Sequence, residues 1–247
     1  MHRFTVIQNQ KPNPTTMKRN LITLLIVFSA FAGFSQNSQW YSTSAGEIVF
    51  SFASIDNKGN ESGNIMRFSP VFNFQNLLNY DASQHLGFFT GLNIRNVGFI
   101  YDVPNSDTRK KFRSYNLGIP VGLKLGNMQG NFLYGGFEIE FPFNYKEKTF
   151  VNEKKTDKFN VWFSKRQPAY YQTVMLGVQF KNGTNIKFKY YLTGFFNKNF
   201  TETINNVQVK PYEDFDANVF YVSLNYNLFK NDKFNNPVKV KNVSEVY

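Results

Sequence analysis

The stretch FRSYNLGIPVGLKLG, residues 112–126, alternates along nearly its whole length. Tyr115, Leu117, Ile119, Val121, Leu123 and Leu125 share one parity; Ser114, Asn116, Gly118, Pro120, Gly122 and Lys124 share the other. Strict period-2 alternation puts successive side chains on opposite faces of a strand. One face here is oily and the other small and polar, and Lys124 belongs to the polar one. Pro120 lacks the ladder donor, so the sequence predicts a bulge or bend between Gly118 and Gly122.

The same pattern recurs outward from this stretch. Eight strands are predicted, at approximately 45–54, 64–75, 85–101, 112–125, 131–143, 169–181, 185–197 and 216–229. Most reach the roughly 9–11 residues that a tilted strand needs to cross a bilayer. One parity is apolar throughout, as in Phe137, Ile139, Phe141 or Phe220, Val222, Leu224. The other carries Glu47, Arg67, Arg95, Lys124, Glu138, Glu140, Lys187 and Lys189. Charges on the inner parity of a closed barrel must be paired or hydrated, so these eight residues are expected to form a lumen charge network, with opposite charges sharing each layer.

Alternation alone also fits a soluble sandwich or ligand-enclosing barrel. Connection lengths separate these readings. They are tight at 127–130 and 182–184 but long at 102–111, 144–168 and 198–215, and long outer loops opposite short turns are the habit of outer-membrane barrels. Aromatic residues add a third signal: Phe141, Phe143, Tyr145, Tyr170, Tyr171, Phe195 and Phe196 fall toward the loop side, and Phe72, Phe74, Phe180, Phe188, Tyr226 and Phe229 toward the turn side, as two expected interfacial girdles.

Composition agrees with this class. Twenty-nine Phe and fourteen Tyr in 247 residues favour strands, and the lack of cysteine excludes disulfides and thiolate chemistry. Residues 17–35 carry Lys18 and Arg19 followed by a short apolar run and small residues, the form of a secretory signal peptide cleaved after Ser35. Residues 1–16 then read as an extended leader or mis-called start, 36–230 as the barrel and 231–247 as a periplasmic tail. Loss of Arg3, Lys11, Lys18 and Arg19 takes the formal charge from +11 to +7. An exported basic chain meets anionic lipid or polysaccharide rather than nucleic acid.

The YNLGIPVGLKLG strand, the tight turn after it, the FLYGGFEIEFPF strand and a leader ending FSQ resemble the small outer-membrane β-barrels of Bacteroidetes, which include the PorT-like proteins. The resemblance implies an all-β, eight-stranded antiparallel up-and-down transmembrane barrel in the outer membrane of a Gram-negative bacterium, and the family supplies no catalytic residues. A role as accessory subunit of an envelope protein-secretion or gliding machine is one implied alternative; a soluble secreted ligand-binding barrel is another.

Chemistry is sparsely represented. Only His85 remains after leader removal, and it falls in a predicted periplasmic turn, so no outer-rim Ser-His-acid constellation is available. No cofactor or metal site is expected, and the reading is non-enzymatic. An eight-stranded interior that side chains can fill argues for a non-pore protein. Binding is then expected in the loops, through Phe159, Trp162, Phe163, Lys165 and Arg166 of the 144–168 connection, with outer-membrane lipid or lipopolysaccharide, or an envelope protein, as partner.

Overall fold

The computed structural model describes residues 40–57, 60–62, 65–226 and 228–229. The predicted leader, signal peptide and tail lie outside the described residues. The elements are β1 (Trp40–Asn57), β2 (Asn60–Ser62), β3 (Arg67–Ser69), β4 (Phe74–Asp81), β5 (Leu86–Asp102), β6 (Thr108–Gly126), β7 (Phe132–Val151), β8 (Lys154–Trp162), β9 (Tyr171–Gln179), β10 (Thr184–Tyr191), β11 (Glu202–Ile204), β12 (Val207–Val209) and β13 (Phe215–Tyr226).

Neighbouring strands pair in the order β13, β10, β9, β7, β6, β5, β4, β1, and β1 pairs again with β13 over eleven residue pairs from Glu47↔Asn225 to Asn57↔Phe215. The sheet is therefore closed. β3 and β4 are two pieces of one stave, so the barrel has the eight antiparallel staves expected from the sequence. Closure leaves no unpaired edge along the wall.

Parity is kept along the quoted stretch. Leu117, Ile119, Val121, Leu123 and Leu125 face outward and are exposed, while Asn116, Gly118, Pro120, Gly122 and Lys124 face inward and are buried. The small inward residues create space for their neighbours. A Cβ at Gly118 would occupy the position of the Glu138 carboxylate, and one at Gly122 would strike the Phe89 ring and the Gly135 carbonyl.

Several boundaries differ from the expected ones. The second stave continues to Asp81 instead of ending at residue 75, and it is broken between Ser69 and Phe74, where Phe72 takes a φ of 61°. The 144–168 connection is mostly strand: β7 rises to Val151, and β8 descends beside it after a two-residue turn at Asn152 and Glu153, whose φ values of 49° and 62° are those of a type I′ hairpin. The alternating segment assigned to 185–197 stops at Tyr191, after which the chain leaves the wall.

Of the bulge or bend expected between Gly118 and Gly122, the structure has no bulge but does have a local opening of one ladder. Pairing of β6 with β7 runs in register through Ile119↔Ile139, Pro120↔Glu138 and Val121↔Phe137. On the β5 side the ladder passes from Thr90↔Val121 to Asn93↔Gly118 without the two pairs between, and the Thr90 hydroxyl donates to the Pro120 carbonyl at 2.8 Å. The missing donor is thus absorbed by a local gap. The register shift lies at Tyr115/Asn116, where Asn116 faces Pro142 and Phe143 is the extra residue on β7.

Gly122→Val should destabilise the barrel by roughly 1–3 kcal/mol, because the added branch meets both a packed ring and backbone. Urea unfolding in detergent micelles, followed by tryptophan fluorescence, measures it; unchanged stability would show that Phe89 can move aside.

Candidate functional site

The interior is built in three layers. At the tight-turn end, Phe89, Phe132, Tyr134 and Phe229 form an aromatic plug, with ring centroids 4.8 Å apart for Tyr134 and Phe229 and 5.4 Å for Phe89 and Phe229. At the long-loop end, Phe99, Phe112, Phe195, Phe196 and Tyr212 form another, in which Phe196 and Tyr212 stack at 4.2 Å. The connection between β10 and β13, with the β11–β12 hairpin, folds over this end. Phe195 N–H donates to the Ala217 carbonyl and Asn197 N–H to the Arg166 carbonyl.

These layers correct the expected girdles. Tyr145, Tyr171, Phe195, Phe196 and Phe229 are interior residues, all buried. Tyr145 and Tyr171 are on the inward parity of β7 and β9, and the two phenylalanines at 195 and 196 follow the end of β10, where alternation no longer assigns a face. Phe141, Tyr170, Phe72, Phe74, Phe180, Phe188 and Tyr226 do face outward. Phe72, assigned to the turn side, instead packs edge-on against Tyr115 toward the loop side, at 6.0 Å.

Between the plugs lies an ionic layer. Arg95, from β5, is its centre. Its Nη1 donates to Glu47 of β1, its Nη2 to Glu138 of β7 and to the Gln75 side-chain oxygen, both at 3.2 Å, and its Nε lies 3.3 Å from Glu140. Lys187 Nζ meets the other Glu47 oxygen at 2.6 Å. Lys189 Nζ bridges Glu138 and Glu140 at 2.6 and 2.5 Å. Strand parity aligns Lys187 with Lys189, and Glu138 with Glu140, so each pair projects inward from one strand. All six charged side chains are shielded from solvent.

Neutral partners complete the layer. Ser223 donates to Glu47; Asn93 donates to Glu138 at 3.0 Å; Asn116 and Tyr191 donate to Glu140, each at 2.7 Å. Three carboxylates face three cations, so the layer is formally neutral. Buried charges are tolerated under these conditions, with each ion paired and its remaining lone pairs satisfied.

Two of the eight predicted network residues stand apart. Lys124 lies near the tight-turn end, bound to Asp81 at 2.5 Å and to Tyr41 OH at 3.0 Å, and it sits over the Phe229 ring. Arg67 pairs with no carboxylate among the described residues; it donates to the Asn96 carbonyl and side chain, and to Ser69. The expected layers, each shared by opposite charges, are therefore replaced by one network centred on Arg95, joining six of the eight. Asp81 and Gln75 were not anticipated. Ending the second stave at residue 75 had placed Asp81 in a turn, and the extended alternation Gln75, Leu77, Asn79, Asp81 is the signal that identifies it.

The predicted loop residues also divide. Trp162 and Phe163 are 62% and 77% exposed, while Phe159 is only marginally so. Arg166 is engaged internally, with Glu202, with Tyr212 OH at 3.0 Å, and against the Phe159 and Phe200 rings. Lys165 is exposed at the surface. His85 is exposed in the β4–β5 turn, at the opposite end. Among the described residues no group of three or more His, Cys, Asp or Glu side chains is arranged to hold a metal ion.

No family model matches the chain, and no curated protein matches it. Among solved structures it is similar to Ail, the attachment invasion locus protein of Yersinia pestis, in complex with the heparin analogue sucrose octasulfate, at 12% identity, covering 74% of this chain and 96% of that one with a TM-score of 0.36. It is also similar to Neisserial surface protein A, at 10% identity, 76% and 99% coverage and TM-score 0.35, and to CarO of Acinetobacter baumannii, at 12% identity, 74% and 95% coverage and TM-score 0.36. The barrel assignment itself rests on the pairing of this chain's own strands.

Arg95→Met should cost about 3–5 kcal/mol, because it leaves an excess carboxylate in a buried layer. The double variant Arg95→Met with Glu138→Gln restores neutrality and should lose clearly less than the sum of its singles, with a coupling of roughly 0.5–3 kcal/mol. A double-mutant cycle by urea unfolding in lipid vesicles measures this; strict additivity would mean that the two groups do not interact.

Proposed function

We propose that the chain is a non-conducting outer-membrane barrel that acts through the structures it carries on its long-loop side. The observation that supports this best is the inversion of polarity across its wall. Charged groups such as Arg95, Glu138 and Lys189 are enclosed, whereas Val121, Leu125 and Leu176 on the outside are 62%, 56% and 62% exposed. A continuous apolar exterior on a closed barrel suits lipid, because closure pairs neighbouring strands all round the wall and leaves no open sheet edge. A soluble barrel enclosing an apolar ligand requires the opposite distribution. No helix among the described residues is long and apolar enough to cross a membrane, which leaves crossing to the strands.

Two aromatic plugs and an ion-paired layer fill the interior in series, so no open path is left for solutes, as the small size of an eight-stranded barrel favours. In this reading the tight turns at 127–130 and 182–184 face the periplasm, and the β7–β8 hairpin, with Trp162 and Phe163 exposed at its base, faces the exterior. Rigid hairpins above a barrel are a binding platform, not a pore lining.

The purified full chain should remain with membranes after an alkaline carbonate wash and show no stable conductance in planar bilayers. Release by the wash overturns the membrane reading. A reproducible open channel overturns the sealed one.

A further inference from the structure

Above the apolar belt, the outer faces of β6, β7 and β8 form a cationic surface whose charges stand directly opposite one another. Cross-strand register gives the rows. Lys111 faces Lys148, which faces Lys158; Arg113 faces Lys146; Arg109 faces Phe150, which faces Lys155. Residues directly opposite share a face, and Arg109, Lys111 and Arg113 continue the outward parity of Leu117 and Ile119. Among the described residues only Arg109 of these has a carboxylate partner, Asp102 at 2.6 Å. The acids Glu147 and Asp157 occupy the other parity, where Glu147 takes Lys110 at 3.1 Å and the Tyr145 hydroxyl at 2.9 Å.

The remaining six cations, Lys111, Arg113, Lys146, Lys148, Lys155 and Lys158, make no ion pair among the described residues. Lys146 and Lys111 rest over the rings of Tyr115 and Phe150, at 5.6 and 4.8 Å. Arg113 Nε is shielded from solvent and donates to nothing. Partial desolvation, followed by the fields of Arg113, Lys155, Lys158 and Lys146, lowers the Lys148 pKa. Like charges set directly opposite destabilise a sheet. The arrangement is unfavourable unless an anion covers it.

Its position indicates which anion. Immediately below the cation rows, four outward rings form a chain around the wall: Phe72 against Tyr115 at 6.0 Å, Tyr115 against Phe143 at 6.5 Å, and Phe143 stacked on Trp162 at 5.9 Å. Girdles of aromatic rings, Tyr and Trp above all, mark the membrane–water boundary of a barrel, so the rows lie at headgroup level and face sideways along the membrane. A soluble polyanion would have to approach from the lipid side. A phosphorylated headgroup of the outer leaflet is already there.

Resting on the outer-membrane reading above, we infer that this face docks the phosphates of an outer-leaflet glycolipid, with Lys111, Arg113, Lys146, Lys148 and Lys158 as its contacts and the ring chain against its acyl–headgroup boundary. The site recognises charge at the level of phosphate, and the barrel thereby carries a fixed lipid neighbour on its β6–β8 side.

The test uses the full chain in phosphatidylcholine vesicles with or without diphosphoryl lipid A, and native mass spectrometry of the extracted protein to count retained lipid. The fourfold variant Lys111→Gln, Lys146→Gln, Lys148→Gln, Lys158→Gln should lose retained lipid A by about tenfold or more, since each near-surface cation contributes on the order of 1 kcal/mol toward an anionic membrane. Replacing Lys181, Lys198 and Lys210 by Gln should leave retention at the wild-type level. In pure phosphatidylcholine the first variant should resist urea better than wild type, because the opposed charges are gone, which separates lost binding from lost folding. Equal retention of a dephosphorylated lipid A, unchanged retention by the first variant, or full displacement by soluble polyphosphate would each overturn the inference. Failure of the wild type to enter vesicles of either composition would instead overturn the membrane reading on which it rests.

Discussion

The guanidinium of Arg95 holds together what the closed wall forces inside. An eight-stranded barrel with an apolar exterior has nowhere to put its polar parity except a space side chains can fill. Water cannot hydrate ions there freely, so the charges must neutralise one another. Arg95 alone reaches the carboxylates of β1 and β7, Glu47 on one side and Glu138 and Glu140 on the other. Lys187 and Lys189, from β10, then close the circuit. Four distant segments of chain are thereby tied across the lumen, and removing any one ion leaves the layer with a net charge.

The geometry of the quoted stretch follows from that constraint. Gly118 and Gly122 are small because the inward volume beside β6 belongs to Glu138 and to Phe89. Pro120 is tolerated where the β5 ladder opens, and the register change falls instead at Pro142, the second proline of the wall. A closed sheet thus accommodates prolines in two ways: by a gap in one ladder, or by one extra residue.

Parity made the wall and the inward charges legible in the sequence, because a period of two assigns each residue a face without knowledge of its partners. What it could not supply was distance around the barrel. Lys124 shares parity with the network residues, yet it lies near the tight-turn plug, where Asp81 is its partner. Arg67 likewise shares the inward parity but finds only Asn96 and Ser69. Part of the girdle assignment failed for a related reason. Phe195 and Phe196 lie beyond the last paired residue of β10, and there burial depends on how the connection folds back, which no local pattern encodes. The long 144–168 segment concealed a hairpin because its charges on one face and mixed residues on the other lack the apolar alternation of a wall strand.

That hairpin changes what the basic character of the chain means. Lysines scattered over a flexible loop can turn away from one another, and their charges act as a diffuse surface. Held in strand register, Lys111, Lys148 and Lys158 cannot. The extension of β6 and β7 beyond the apolar belt converts sequence spacing into a fixed array, while the same pleat sends Glu147 to the opposite face and keeps it from neutralising the rows. The alternation that separates lipid from lumen lower in the wall separates cation from carboxylate above it. One structural period thus sets both the enclosed, neutral ion layer and the exposed, unbalanced one, and only the exposed layer has charge left to engage something outside the chain.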